Sequence, residues 1–363
     1  MTVTAQPGTP ATEPREGPVA ELVGVSCHFT VKLPGRGKGT VHAVDDVDLG
    51  VTRGATLGLV GESGSGKSTL ARLLLRLIPV TAGRVVLDGE DITHAKGAAL
   101  RTLRRKMQLV FQDPYSSFDP LATIGQSVGE ALSVHTELGR AEREGRVADL
   151  LDQVRLPAAF ARRRPRELSG GQLQRAAIAR ALATEPELLA LDEPLSSLDV
   201  ATQVQIVELL GELQERLGIA YLFISHDLNL VRTLSQRVAV MYLGRIVEEG
   251  PVEALYVSAH HPYTQALLSA SPSLDPARRQ QRIVLEGDIP SPLNPPSGCR
   301  FRTRCRHAMD ICAKVEPRDT EIDGLTVRCH LVDGPSTDGV QPGSATSQTG
   351  PPAEGGPERP AEP

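Results

Sequence analysis

Short apolar runs alternate with amphipathic stretches along most of the chain, the pattern of strands buried on both faces between helices. The strand-like runs are 56–60, 107–111, 188–191 and 221–225, each mostly apolar and bounded by polar or turn residues. Runs 237–243 and 246–249 flank Gly244 and Arg245 and predict a β-hairpin. Helical runs follow at 68–77, stopped near Pro79, and at 172–184. At about 120–167 a helical insertion interrupts the alternation. Within it, Val147, Leu150, Leu151 and Val154 share one helix face by their i, i+3, i+4, i+7 spacing. The pattern as a whole predicts an α/β fold built on a parallel sheet.

The two ends read differently. Residues 1–19 are rich in Pro, Thr and Glu, and 333–363 in Gly and Pro, so both predict disordered tails. After about residue 255 prolines crowd 271–298, and four of the five cysteines fall within 299–329. This texture predicts a separate small C-terminal domain at 256–332, behind a main domain at 20–255 whose helical subdomain covers about 113–167.

Composition removes several classes of function. A net charge of −5 argues against binding nucleic acid by neutralising phosphates. An aromatic fraction of 3%, with no Trp, leaves no base-stacking platform. No apolar run is long enough for a membrane-spanning helix. The N-terminus lacks the basic and apolar regions of a signal peptide, so the expected compartment is the cytosol and the cysteines are expected as thiols.

The chemistry concentrates at three places. Gly61, Glu62, Ser63, Gly64, Ser65, Gly66, Lys67 and Ser68 match the phosphate-loop pattern G-x-x-x-x-G-K-[ST], between a predicted strand and a predicted helix. The glycines let backbone N–H groups wrap phosphates, Lys67 supplies a point charge, and Ser68, followed by Thr69, can ligate Mg²⁺. The run 188–191 ends in Asp192 and Glu193, which puts two carboxylates at the C-terminal edge of the sheet. Asp192 suits Mg²⁺ and Glu193 suits a general base for the attacking water. Leu168, Ser169, Gly170, Gly171 and Gln172 form a polar turn opening a helix, a second anion site. Two such sites in one chain suggest a nucleotide sandwiched between two copies.

With these motifs in order, the chain resembles the ATP-binding cassette (ABC) ATPases over about residues 20–330. That resemblance implies a P-loop NTPase core with an inserted helical subdomain, ATP as substrate and Mg²⁺ as cofactor. It implies that Gln112 senses the γ-phosphate and Mg²⁺, that His226 hydrogen-bonds the γ-phosphate, and that Asp199, after Ser197 and Leu198, lies at a dimer interface. By the same resemblance Ser169 and Gly171 contact the γ-phosphate held by the opposite subunit, and Phe29 stacks on adenine, although an insertion at 32–40 blurs that alignment.

Segments 111–117, 241–244, 261–269 and 292–299 are similar to the oligopeptide/dipeptide importer ATPases. The short segment after the phosphate-loop helix and the insertion at 32–40 resemble the F-type member of a D/F pair. What this implies is an ATPase at the cytoplasmic face of the cell membrane, paired with a D-type paralogue and two permease subunits, and served by an extracellular substrate-binding protein. Import of nickel or another small solute by the same ATPase is the alternative. Cys299, Cys305, Cys312 and Cys329 lack the C-x₂-C pairs of a zinc ribbon. They suit an iron–sulfur cluster better. Similar cysteines in this family point to [4Fe–4S], with zinc or unligated thiols as the other outcomes. Cys27 falls in a strand pattern and reads as a core residue.

Overall fold

The computed structural model describes residues 17–33, 35, 37–270 and 283–332. The tail expected at 333–363 lies outside them, as do 1–16. Pro18 and Val19, expected in the N-terminal tail, instead open the strand Pro18–Leu33, where Val19 is fully buried.

Among the described residues an eight-stranded sheet runs in the order Asp319–Ile322, Leu325–Arg328, Arg245–Pro251, Arg237–Tyr242, Thr56–Val60, Ala220–Ser225, Leu188–Asp192, Met107–Val110. Its last five strands pair in parallel, as the continuous apolar runs predicted. The alternation of side chains divides the core in two. Leu188, Ala190, Leu222 and Ile224 face the helix Lys67–Leu74 and a four-stranded antiparallel sheet. Leu189, Leu191, Tyr221 and Phe223 face the helices Gly170–Leu182, Val200–Leu217 and Leu228–Leu234. The four-stranded sheet is led by a long hairpin, Pro18–Leu33 against Gly37–Thr52, and the described residues 32, 33 and 37–40 of the insertion pair at its end.

Three boundaries differ from expectation. Phe111 leaves its strand at Val110 and is 42% exposed, because the chain turns there toward Gln112. The hairpin turn is Leu243–Gly244, not Gly244 and Arg245, since Tyr242 pairs with Arg245. Both turn residues have positive φ (45° and 83°), the sense a two-residue hairpin needs. The phosphate-loop helix ends at Leu74, short of residue 77.

The helical insertion contains Ile124–His135 and Arg140–Gln153. Thr123 and Gln126 form a reciprocal cap at the start of the first helix (3.2 and 2.8 Å). Val147, Leu150, Leu151 and Val154 are all buried, with Val154 capping the helix rather than lying inside it. Arg180, on the helix Gly170–Leu182, donates to the Ser117 carbonyl and stacks its guanidinium 4.4 Å from the Phe118 ring centroid.

The region expected as a separate C-terminal domain packs as an extension of the main sheet. Leu325–Arg328 pairs with Arg245–Pro251, and Asp319–Ile322 pairs with Leu325–Arg328. Phe301, Leu325, Val327 and Cys329 join the same core cluster as Tyr242 and Tyr263. A segment this poor in apolar residues gains its core by borrowing the edge of a larger one.

Candidate active site

Parallel pairing puts the C-terminal ends of neighbouring strands side by side, and the candidate residues follow those ends directly. Gly61 follows Val60, His226 follows Ser225, Glu193 follows Asp192 and Gln112 follows Phe111, across four adjacent strands. Residues up to 165 positions apart in sequence thus line one edge.

The phosphate loop depends on its glycines. Gly61, Gly64 and Gly66 have φ of 155°, 80° and 109°, and a Cβ at Gly66 would overlap the Ala43 carbonyl oxygen. Lys67 is 4% exposed, and its Nζ donates to the carbonyls of Gly61 (2.7 Å) and Glu62 (3.0 Å). Burial pushes the Lys67 ammonium down, and the carboxylates of Glu193, Asp192 and Glu62 only partly pull it back. Ser68 Oγ donates to Asp192 Oδ1 at 2.9 Å. Burial pushes the Asp192 carboxyl up, against that hydrogen bond. A buried ammonium held by two loop carbonyls and a buried carboxylate held by one hydroxyl fit a bound triphosphate and Mg²⁺. Ser63 and Gly64 are exposed at the loop tip, Ser65 is buried and Thr69 half-buried in the first helical turn.

Glu193, Gln112 and His226 meet. Glu193 Oε2 accepts from Gln112 Nε2 at 3.0 Å and lies 3.3 Å from His226 Nδ1. Glu193 has φ 46°, in the left-handed region that non-glycine residues seldom occupy. Its N–H donates to the Ile224 carbonyl at 3.1 Å, which helps to hold it there. Nothing local in the sequence signals this conformation.

The turn at 168–172 makes its contacts elsewhere. Ser169 caps the helix Gly170–Leu182 in a reciprocal box with Gln172 (3.3 and 3.1 Å). Gly170 lies against Leu198, and Gly171 against Thr202. The Thr202 hydroxyl donates to Asp199 at 2.7 Å, so this turn and Asp199 form one surface. No described hydrogen bond or ion pair joins residues 168–172 to the phosphate loop of the same chain. Phe29 is 41% exposed on the hairpin, free to meet a planar ligand.

Sequence reasoning missed a clamp on the loop from the C-terminal region. Tyr263 Oη accepts from the Glu62 N–H at 2.8 Å, from 201 positions away. Arg304 grips the Glu62 carboxylate with both terminal nitrogens (2.6 and 3.1 Å), from 242 positions away. The bond to Glu62 pushes the Arg304 guanidinium further up, keeping it charged. No periodicity or motif could have paired these residues.

Arg304 precedes Cys305. Cys299 and Cys305 are half-buried, Cys312 and Cys329 buried, and all four are free thiols. Burial pushes the Cys299 and Cys305 thiols up and Cys329 up to about 12, with the neighbouring cysteines adding to each. The Cys299 N–H donates to the Cys312 carbonyl at 2.8 Å, and no three of the four sulfur atoms come within 4.8 Å of each other. Cys27 is a core residue, 2% exposed.

Comparison with known proteins agrees with this geometry. Residues 44–196 match the ABC transporter family, and 247–312 match the oligopeptide/dipeptide transporter C-terminal region. A probable peptide ABC transporter ATP-binding protein of Sinorhizobium fredii is 52% identical over 292 residues, 80% of this chain and 83% of that one. A putative peptide import ATP-binding protein of Brucella abortus is also 52% identical, over 82% of this chain and 89% of its own. Among solved structures, cbiO1 of Clostridium perfringens superposes with a TM-score of 0.59 at 28% identity, covering 67% of this chain and 92% of that one. A dimeric ATP-binding cassette in a post-hydrolysis state, bound to ADP and Pi, superposes at 0.58 and 31% identity, covering 64% and 98%. With its phosphate loop, paired acids and capped Gly turn on this scaffold, the chain belongs to the ABC transporter family, as an ATP-hydrolysing, ATP-binding subunit that carries the oligopeptide/dipeptide transporter C-terminal region.

Proposed function

We propose that this chain powers the import of oligopeptides or dipeptides through a membrane complex. The observation that carries this reading is the union of two parts: an ATP site, and a C-terminal region of the oligopeptide/dipeptide transporter type clamped to its phosphate loop through Tyr263 and Arg304. The names of the relatives support the same cargo.

In this reading Lys67 and the backbone N–H groups of 61–68 hold the β- and γ-phosphates. Ser68, Asp192 and Gln112 would hold Mg²⁺, which would supply positive charge to the phosphates. Glu193 takes a proton from the attacking water, and His226 hydrogen-bonds the γ-phosphate. Ser169, Gly170, Gly171, Gln172 and Asp199 serve the ATP of a second ATPase. Their separation from this chain's own phosphate loop supports that division, as does the dimeric assembly of a relative. The second ATPase is a D-type paralogue.

Two permease subunits complete the complex at the cytoplasmic face of the membrane, and an extracellular binding protein delivers the peptide. No described helix is long and apolar enough to cross a membrane, which is consistent with a peripheral subunit. A groove of 970 Å³ lined by Ser117, Asp119, Gln126, Glu130, Arg143 and Arg180 offers the permease a docking place on the helical insertion. Arg180 ties that groove to the helix that begins at Gly170, so closure of the ATPase pair would move it.

Purification of the complex from its native operon should yield one copy of this ATPase and one of a paralogue. The reconstituted complex should take up labelled peptides only with ATP. A fully active complex with this ATPase alone would refute the pairing. Uptake of nickel but not of peptides would refute the cargo.

The same reading assigns a [4Fe–4S] cluster to Cys299, Cys305, Cys312 and Cys329. Four cysteines without a disulfide, in one loop-rich segment, support it, with zinc or unligated thiols as the other outcomes. Protein purified without oxygen should contain iron and sulfide in equal amounts and absorb in the visible. Colourless, metal-free protein, with full activity after all four cysteines become serine, rules the cluster out.

A further inference from the structure

The long hairpin holds a second group of donor atoms that ATP hydrolysis does not use. His28 and His42 are direct partners in the antiparallel register, with ring centroids 4.3 Å apart. Asp45 lies beyond them on the second strand. His28 Nε2 is 3.5 Å from Asp45 Oδ1, and His42 Nδ1 is 3.8 Å from Oδ2. Both gaps are too wide for a good hydrogen bond. Both nitrogens are themselves buried and have no hydrogen-bond partner. Two orphaned imidazole nitrogens aimed at one carboxylate are costly unless something lies between them. Among the described residues this is the set of His, Cys, Asp and Glu whose ligand atoms all lie within 4.8 Å of one another.

We propose that His28, His42 and Asp45 bind a divalent late transition metal ion, of which Zn²⁺ is the natural candidate. Two imidazoles and a carboxylate are a common three-ligand set for such an ion, with water in the fourth position. The side chains are 26%, 31% and 19% exposed, so the group lies near the surface although both nitrogens are covered.

The surroundings prepare the ligands. Burial, followed by the charge of His28, pushes the His42 imidazole down, against the pull of Asp45. Burial opposes the charge on Asp45, but Arg300 and Arg245 outweigh it and hold the carboxyl below its usual range. Arg300 donates to Asp45 Oδ2 and to the Leu243 carbonyl, fixing the carboxylate's orientation. The same guanidiniums repel cations. Binding must then come from the nitrogen donors, which selects a late transition metal over Mg²⁺ or Ca²⁺.

The site backs onto the ATP site without belonging to it. The Asp45 N–H donates to the Gly244 carbonyl (2.9 Å), and the Gly244 N–H donates to the Ser65 carbonyl of the phosphate loop (2.8 Å). A metal ion there would brace the hairpin against that loop.

Titration of the full-length protein with Co²⁺, followed by visible absorption, tests the proposal. The expected result is a saturable site with weak visible bands and no sulfur-to-metal charge transfer, which separates it from binding at the cysteines. His28→Gln and His42→Gln should each weaken this site by at least about tenfold and leave any thiolate absorption unchanged. Zn²⁺ should raise the melting temperature of the wild type more than that of either variant. X-ray absorption of the wild-type cobalt complex, which needs no variant, should show imidazole coordination. Cobalt coordinated by sulfur alone, or bound equally well by both variants, overturns the proposal.

Discussion

Glu193→Gln lowers ATP turnover by about 10²–10⁴-fold, the range for loss of a general base, and leaves ATP binding intact. The carboxylate stands at the C-terminal end of its strand, beside Ser68 and Asp192 and within reach of Gln112 and His226. The amide keeps the shape of the side chain but cannot take a proton from water. Lys67→Ala gives the contrasting result. It removes the buried ammonium among the phosphate-loop carbonyls, so nucleotide affinity itself falls. Phosphate release and equilibrium binding of ATP, measured on both variants, separate the two roles. Wild-type turnover in Glu193→Gln would show that the base is another group.

Arg304→Ala destabilises the protein by about 2–4 kcal/mol, the order of a broken hydrogen-bonded charge pair, and weakens ATP binding. Arg304 is 7% exposed and grips Glu62 with both terminal nitrogens, so its loss leaves the half-buried Glu62 carboxylate without its cation. That figure sits toward the low end for a broken buried pair because Glu62 retains some contact with water. The Tyr263 bond to the Glu62 N–H remains, so the loop is loosened rather than lost. Arg304→Lys should recover part of the stability but not the two-pronged grip. Thermal unfolding and ATP affinity report the two effects separately. Unchanged ATP affinity in a destabilised Arg304→Ala protein would show that the clamp serves only the C-terminal region.

Two kinds of feature divide the chain by how they can be read. The phosphate loop, the four central strands, the acidic pair and the capped turn at Ser169 were legible from sequence alone. Each is local: a glycine-dependent loop, an apolar run between polar ends, or a cap three residues from its partner. Such patterns follow from backbone sterics and side-chain periodicity, which operate over a few residues. Even there the boundaries shifted, at Phe111 and at Leu243–Gly244, because strand ends are set by pairing with neighbours. Tertiary structure decided the rest. It joined Gln112 and His226 on one carboxylate through the order of parallel strands. It also attached the C-terminal strands to the edge of the main sheet rather than leaving them a core of their own. The grip of Arg304 and Tyr263 on Glu62, and the facing of His28 and His42, depend on contacts between segments that carry no common periodicity. Such contacts form only when burial of the whole core brings the segments together, so no window of sequence contains them.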